Sequence, residues 1–132
     1  MRLTHLRETY IKLMESLARL RTSELHLRHH QDLYWRSAPS DPMPDERMEM
    51  VKENGAAVAD FVKIRDTAFL VISDELFHFL QVSIGELRPT HTPTWQEDCQ
   101  HNIALIEKTI HRVRHTARVE LGYEPTPPAA KG

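Results

Sequence analysis

Two proline clusters divide this chain of 132 residues into three segments, each with the apolar spacing of a helix. One cluster lies in residues 37–44 and the other in residues 88–93. Proline lacks a backbone donor and clashes with the preceding helical turn, so each cluster must end the helix before it. The sequence therefore predicts three long helices, over about Thr4 to Arg36, Asp45 to Leu87, and Trp95 to Leu121.

The apolar residues of the first predicted helix recur at steps of three and four, which places them on one narrow seam broken by Glu24. The second is apolar over most of its circumference, which indicates cover on more than one side. In its first half, Gly55 indicates a kink or a close approach. The third predicted helix begins with a Thr94–Glu97 capping box and ends at Gly122. The first seam contains Leu3, Leu6, Tyr10, Leu13, Leu17, Leu20 and Leu27.

Short linkers favour antiparallel neighbours, so we expect an all-α, up-down-up bundle of three helices with coiled-coil-like packing and the second helix at its centre. Residues 1–40 carry 7 positive and 4 negative charges, residues 41–98 carry 5 and 12, and residues 99–132 carry 5 and 3. An acidic second helix therefore complements two basic neighbours. Its wide apolar face also favours a homodimer. We expect one domain over residues 1–122 and a disordered, proline-rich tail over 123–132.

Composition excludes several classes of function. Four glycines leave little for a Gly-rich phosphate loop, and a single cysteine excludes a disulfide framework and a Cys-based zinc site. The formal charge of -2 argues against nucleic-acid binding by bulk positive charge. The start of the chain lacks a signal-peptide apolar region, and the most apolar stretch, Thr67 to Leu87, is interrupted by polar residues. The sequence thus favours a cytoplasmic protein without a membrane partner.

Histidine is the compositional outlier, with nine residues. His111 and His115 lie one turn apart with Glu107 a turn earlier, a spacing that lets two imidazoles and a carboxylate share a Zn or Fe ion. Glu75 and His78 have a Glu-x-x-His spacing that is similar to that of ferritin-like di-iron bundles. Because these positions fall off the predicted apolar seams, a solvated surface without a cofactor is the favoured interpretation. A Zn- or Fe-binding bundle is the alternative.

A third interpretation involves nucleic acid. Arg21 and His26 have an Arg-x4-His spacing that resembles the motif of HEPN-type ribonucleases, which are also small all-helical dimers. The resemblance covers six residues and implies that Arg21 and His26 would be the catalytic pair. Four cations on the third predicted helix would also suit contacts to a nucleic-acid backbone. These cations are Lys108, Arg112, Arg114 and Arg118.

The favoured interpretation is a non-enzymatic helical-bundle protein that assembles with itself and docks another macromolecule, in particular another protein. It is supported because the sequence has long apolar helix faces but no recognisable set of catalytic residues. Cys99 lies on the third seam, where a thiolate is disfavoured and the side chain acts as a small apolar group. One candidate docking surface is the basic face of the third helix. The other is the end of the first helix, with Tyr34, Trp35 and Arg36, because these residue types are typical anchors.

Overall fold

The computed structural model describes residues 2–37, 45–89 and 94–123, and every regular element in these ranges is an α-helix. The helices are α1 (Arg2–Ser37), α2 (Asp45–Ala68), α3 (Asp74–Gly85) and α4 (Trp95–Glu120). The predicted all-α class is confirmed. The predicted count of three is wrong, because the second predicted helix is two helices. Residues 124–132 of the predicted tail lie outside the described residues.

The break between α2 and α3 spans residues 69–73. The backbone N–H groups of Val71 and Ile72 both donate to the carbonyl of Ala68, at 2.8 and 3.0 Å, in a tight turn that ends α2. Ser73 then caps α3, since its Oγ accepts from the backbone N–H of Leu76 at 3.2 Å. Ile72 and Leu76 are both buried. The apolar spacing therefore continues across the break, and for this reason periodicity alone predicted one helix.

Contacts from α1 show that its two neighbours run antiparallel to it. Near the start of α1, the hydroxyl of Tyr10 donates to Oε2 of Glu120 at the end of α4, at 2.6 Å. The hydroxyl of Ser16 donates to Oδ2 of Asp60 in α2, at 3.2 Å. Further along α1, Asn54 of α2 donates to the Ser23 hydroxyl at 3.0 Å.

The third helix is antiparallel to α4 and completes an up-down-up-down arrangement. At the start of α3, Glu75 pairs with Arg112 at 3.1 Å. Just after its end, the backbone N–H of Arg88 donates to the Asn102 side chain at 2.8 Å, and that amide donates to the Arg88 carbonyl at 2.9 Å. We call the end of the bundle that holds the start of α1 and α3 and the end of α2 and α4 the lower end.

The central helix is α1, which packs against α2 on one side and α4 on the other, whereas α3 bridges α2 and α4. The prediction that the second helix is central is therefore wrong, because it is divided into α2 and α3, of which α2 lies directly beside α1 and α3 does not. Ion pairs join basic α1 to acidic α2, with Arg19 at 3.8 Å from both Glu53 and Asp60. These side chains are exposed, so the pairs contribute little stability.

Two of the predicted local signals differ from the structure and one agrees. α2 continues through Gly55, and a Cβ built there would meet no atom within 4 Å, so no close approach requires glycine. Thr94 makes no side-chain cap to α4, and its hydroxyl instead donates to Asp98 at 3.0 Å. Gly122 has a φ of 80°, which confirms the left-handed stop after α4.

The apolar core is most continuous near the lower end, where all four helices contribute to it. Farther up, a smaller cluster of Leu20, Ala57 and Ile106 continues the core. The lower core contains Tyr10, Leu13, Leu17, Phe61, Ala68, Ile72, Leu76, Leu80 and Val113. The predicted seams of α1 and α4 supply four of these nine residues, and the second predicted helix supplies the other five.

Glu24, the polar break in the α1 seam, is only 2% exposed. Asn54 donates to its Oε1 at 3.1 Å, and Asn102 also favours the charged carboxylate. Among the described residues, Oε2 has no hydrogen-bond partner. Burial outweighs the two amides and raises the pKa of this carboxyl above its ordinary value of 4.5.

Replacing Glu24 with glutamine is expected to stabilise the protein by about 1–2 kcal/mol at neutral pH, because the buried charge is removed. The folded-state pKa lies above the unfolded value, so the contribution of Glu24 to stability is fully present below pH 4.5 and is lost as pH rises through the folded pKa. Urea unfolding between pH 4 and 8 should show this loss in wild type and not in Glu24→Gln. The exposed control Glu8→Gln should follow wild type, and equal pH profiles for Glu24→Gln and wild type would contradict the prediction.

Replacing Ser73 with alanine is expected to cost about 1 kcal/mol of unfolding free energy, because α3 loses its N-cap. Asp74 and Glu75 in the first turn still suit the helix dipole, so α3 should form but unfold at lower urea. Ser73→Asp retains a capping oxygen and should keep the wild-type midpoint. Equal midpoints for the alanine and aspartate variants would show that the cap carries no stability.

Candidate functional site

The candidate metal ligands do not form a cluster. Glu107 lies 3.9 Å from Arg21, and Glu75 pairs with Arg112 at 3.1 Å, so each candidate carboxylate faces an arginine. His78, like His111 and His115, is exposed. Within the ranges that the structure describes, no group of three His, Cys, Asp or Glu side chains is placed to hold a metal ion.

Arg21 and His26 lie on different sides of α1. Arg21 faces α4, where it approaches Glu107, whereas His26 lines a groove between α1 and α2 together with Glu49 and Glu53. Five residues correspond to about 140° around a helix, which explains the separation. The structure therefore does not bring the two candidate nuclease residues together within one chain.

The four candidate cations of α4 divide between two neighbours. Arg112 lies over the ring of Phe79, at 5.0 Å from the ring centroid, and pairs with Glu75, so it belongs to the contact with α3. Lys108 is exposed one turn away. Arg114 and Arg118 instead line a groove between α4 and α1. The residues thus lie on two sides of α4.

The second predicted docking surface contains Tyr34, Trp35 and Arg36. Their backbone belongs to the last turns of α1, and their side chains lie outside the described residues. This surface stays a prediction.

A groove of about 390 Å³ lies between α1 and α4 at the lower end. Its floor is apolar, with Tyr10 held in place by the hydrogen bond to Glu120. Arginines line its rim. We call this site the basic groove, and define it by Tyr10, Ile11, Met14, Leu121, Arg7 and Arg114.

The turn between α2 and α3 carries the most exposed apolar side chain in the described ranges. Leu70 is 85% exposed and Phe69 is 52% exposed. The Phe69 ring packs edge-on against Phe77, with centroids 5.4 Å apart, which orients it without covering it. Asp66 and Asp74, both exposed, flank the turn. We call Phe69, Leu70, Asp66 and Asp74 the acidic knob.

The sequence pattern did not predict this knob. The apolar spacing of the second predicted helix includes Phe69 and Leu70 in its wide apolar face, for which cover by neighbouring helices is expected. The signal that could have revealed the break is Ser73 followed by Asp74 and Glu75, a capping residue before an acidic first turn.

Among the residues whose side chains the structure describes, the exposed apolar ones concentrate at the lower end. Five of the eight large exposed hydrophobic residues in this set lie there, and the other three are Leu25, Met48 and Val82. The five are Leu3, Ile11, Phe69, Leu70 and Tyr123. This end therefore combines the basic groove and the acidic knob.

Comparisons with family models, with curated proteins and with solved structures find no match to this chain. Among the described residues, no helix has the length and apolar character needed to cross a bilayer.

Cys99 is fully buried near the upper part of the bundle, where its thiol lies 3.5 Å from Oε1 of Gln31. Burial, reinforced by the charge of Glu24, raises the pKa of this thiol from 9.0 to about 11. At pH 8 this reduces the thiolate from about one molecule in ten to about one in a thousand. A buried and protonated thiol is suited to packing in the core and not to nucleophilic attack.

The thiol of Cys99 is accordingly expected to react with DTNB at pH 8 at least about a hundredfold more slowly in the folded protein than in the unfolded chain. Absorbance of the released thiolate in buffer and in concentrated urea measures both rates. Free cysteine in the same two solutions corrects for the effect of urea on the reagent. Rapid reaction of the folded protein would contradict the described burial of Cys99.

Proposed function

We propose that this protein is a non-enzymatic helical-bundle assembly protein, which associates with itself and presents surfaces for docking another protein. The single observation that carries the proposal is the concentration, among the described residues, of exposed apolar side chains at the lower end. Exposed apolar side chains that lie side by side, as Phe69 and Leu70 do, are typical of a protein–protein contact.

The position of Leu70 supports this proposal. At 85% exposure, its side chain gains little from folding of the described chain, since hydrophobic stabilisation is proportional to the area removed from water. Phe69 is half exposed although Phe77 packs against its edge. A partner that covers both side chains would supply the burial that the fold leaves incomplete.

The other functions considered from the sequence have less support. A Zn- or Fe-binding bundle lacks a three-ligand group within the described ranges. A ribonuclease that uses Arg21 and His26 would need them to converge, and they lie on different sides of α1. The cations of α4 that a nucleic-acid backbone would contact are divided between two sides of that helix.

Replacing Leu70 with aspartate is expected to convert the self-associated protein to a monomer at about 50 μM, because a charge in an apolar interface loses its hydration. Light scattering coupled to size exclusion measures the mass against the 15.4 kDa of one chain. The matched control is Met48→Asp, which makes the same charge change at an exposed residue in the first turn of α2.

The expected pattern is a multimer for wild type and Met48→Asp, and a monomer for Leu70→Asp with an unchanged helical circular dichroism spectrum. A wild-type protein that stays monomeric at about 200 μM would overturn the proposal, since an interface that serves assembly should form below that concentration. Equal masses for all three proteins would show that association does not use the lower end.

A further inference from the structure

We infer that two copies of this chain associate by unlike surfaces of the lower end: the acidic knob of one copy docks in the basic groove of the other. This inference rests on the proposed self-association and names the two surfaces that form the contact. The occupant of the groove is a second copy of the chain.

The basic groove has an apolar floor and arginines at its rim. Ile11 is an exposed apolar residue that faces this groove, beside the buried ring of Tyr10. Arg7 and Arg114 are exposed and have no ion pair among the described residues. Among the described residues, Glu15 is the one acidic residue that lines the groove, and the carboxylate of Glu120 is occupied by its hydrogen bond from Tyr10. The groove therefore favours an apolar group with negative charge beside it.

The acidic knob has the opposite character. Leu70 and Phe69 project from the turn between α2 and α3, with Asp66 before them and Asp74 after them. Asp66 pairs with Arg65 at 2.8 Å, but the arginine side chain is largely covered and lies near the ring of Phe77. The surface that a partner meets is thus two apolar side chains between two carboxylates.

The topology prevents the knob from filling the groove of its own chain. The groove lies between α1 and α4, and the knob connects α2 to α3, so the two occupy opposite edges of the same end of the bundle. A two-fold axis perpendicular to the bundle axis, placed at this end, would bring each knob of a pair to the groove of the other copy. The contact then closes as a dimer, because each surface is used once by each copy.

Charge complementarity at such a contact sets mainly specificity and the rate of association, and a like-charge contact of close groups is strongly unfavourable. Reversing the charges of one surface should therefore prevent a variant from pairing with itself. Reversing the charges of the other surface in a second variant should likewise prevent that variant from pairing with itself. A mixture of the two variants should pair, because one contact of the heterodimer is native and the other is complementary with the signs exchanged.

The experiment uses the full chain with Arg7→Glu and Arg114→Glu in one variant, and Asp66→Lys and Asp74→Lys in the other. Each variant alone is expected to dimerise at least about tenfold more weakly than wild type, and an equimolar mixture should recover the wild-type affinity. Sedimentation equilibrium measures the dissociation constants. The control carries Arg28→Glu and Lys52→Glu, exposed residues outside both surfaces, and should dimerise as wild type does.

Circular dichroism and thermal melting show whether each variant folds. Where a charge reversal prevents folding, Arg7→Gln with Arg114→Gln, or Asp66→Asn with Asp74→Asn, replaces it, and the expected result is a several-fold weaker dimer with a smaller salt dependence. Wild-type dimerisation combined with unaffected variants would overturn the knob-and-groove inference and leave the proposed self-association standing. A monomeric wild type would overturn both.

Discussion

The burial of one apolar seam of α1 by two antiparallel helices is the constraint on which the rest of the structure depends. Leu13, Leu17 and Leu20 are fully buried along this seam, with α2 and α4 on either side. Because both neighbours are fixed by α1, the chain between them must cross from one to the other. The third helix makes that crossing and closes the side of the bundle opposite α1.

This constraint also explains why the chain breaks after Ala68. A helix of 36 residues such as α1 is about 54 Å long, whereas a continuous helix over the 43 residues from Asp45 to Leu87 would be about 65 Å long. Such a helix would extend beyond α1 and expose its apolar faces. The turn at residues 69–73 instead returns α3 toward the core, where Leu76 and Leu80 are buried. The exposed side chains of Phe69 and Leu70 are the consequence of this reversal.

The sequence was sufficient to predict the helical class, the starts of α2 and α4, the seams of α1 and α4, and the stop at Gly122, because each depends on local spacing or backbone chemistry. It was not sufficient to predict the α2–α3 break, since Ile72 and Leu76 keep the helical period across it. The basic groove depends on the level at which α4 lies beside α1, and that level is set by tertiary contacts such as Tyr10 with Glu120. No spacing within one segment carries that information.

The polar groups buried near the end of α3 show how the bundle sets that level. Asn102 exchanges two hydrogen bonds with the backbone of Arg88 and also acts on Glu24, so one side chain of α4 connects to both α3 and α1. Apolar seams permit sliding by a helical turn at small cost, whereas a displaced Asn102 would leave buried polar atoms without partners. Burial of Glu24 costs stability, but the polar contacts around it permit only one register of α4 beside α1. That register places the start of α1 beside the end of α4 and so forms the basic groove on the edge opposite the acidic knob.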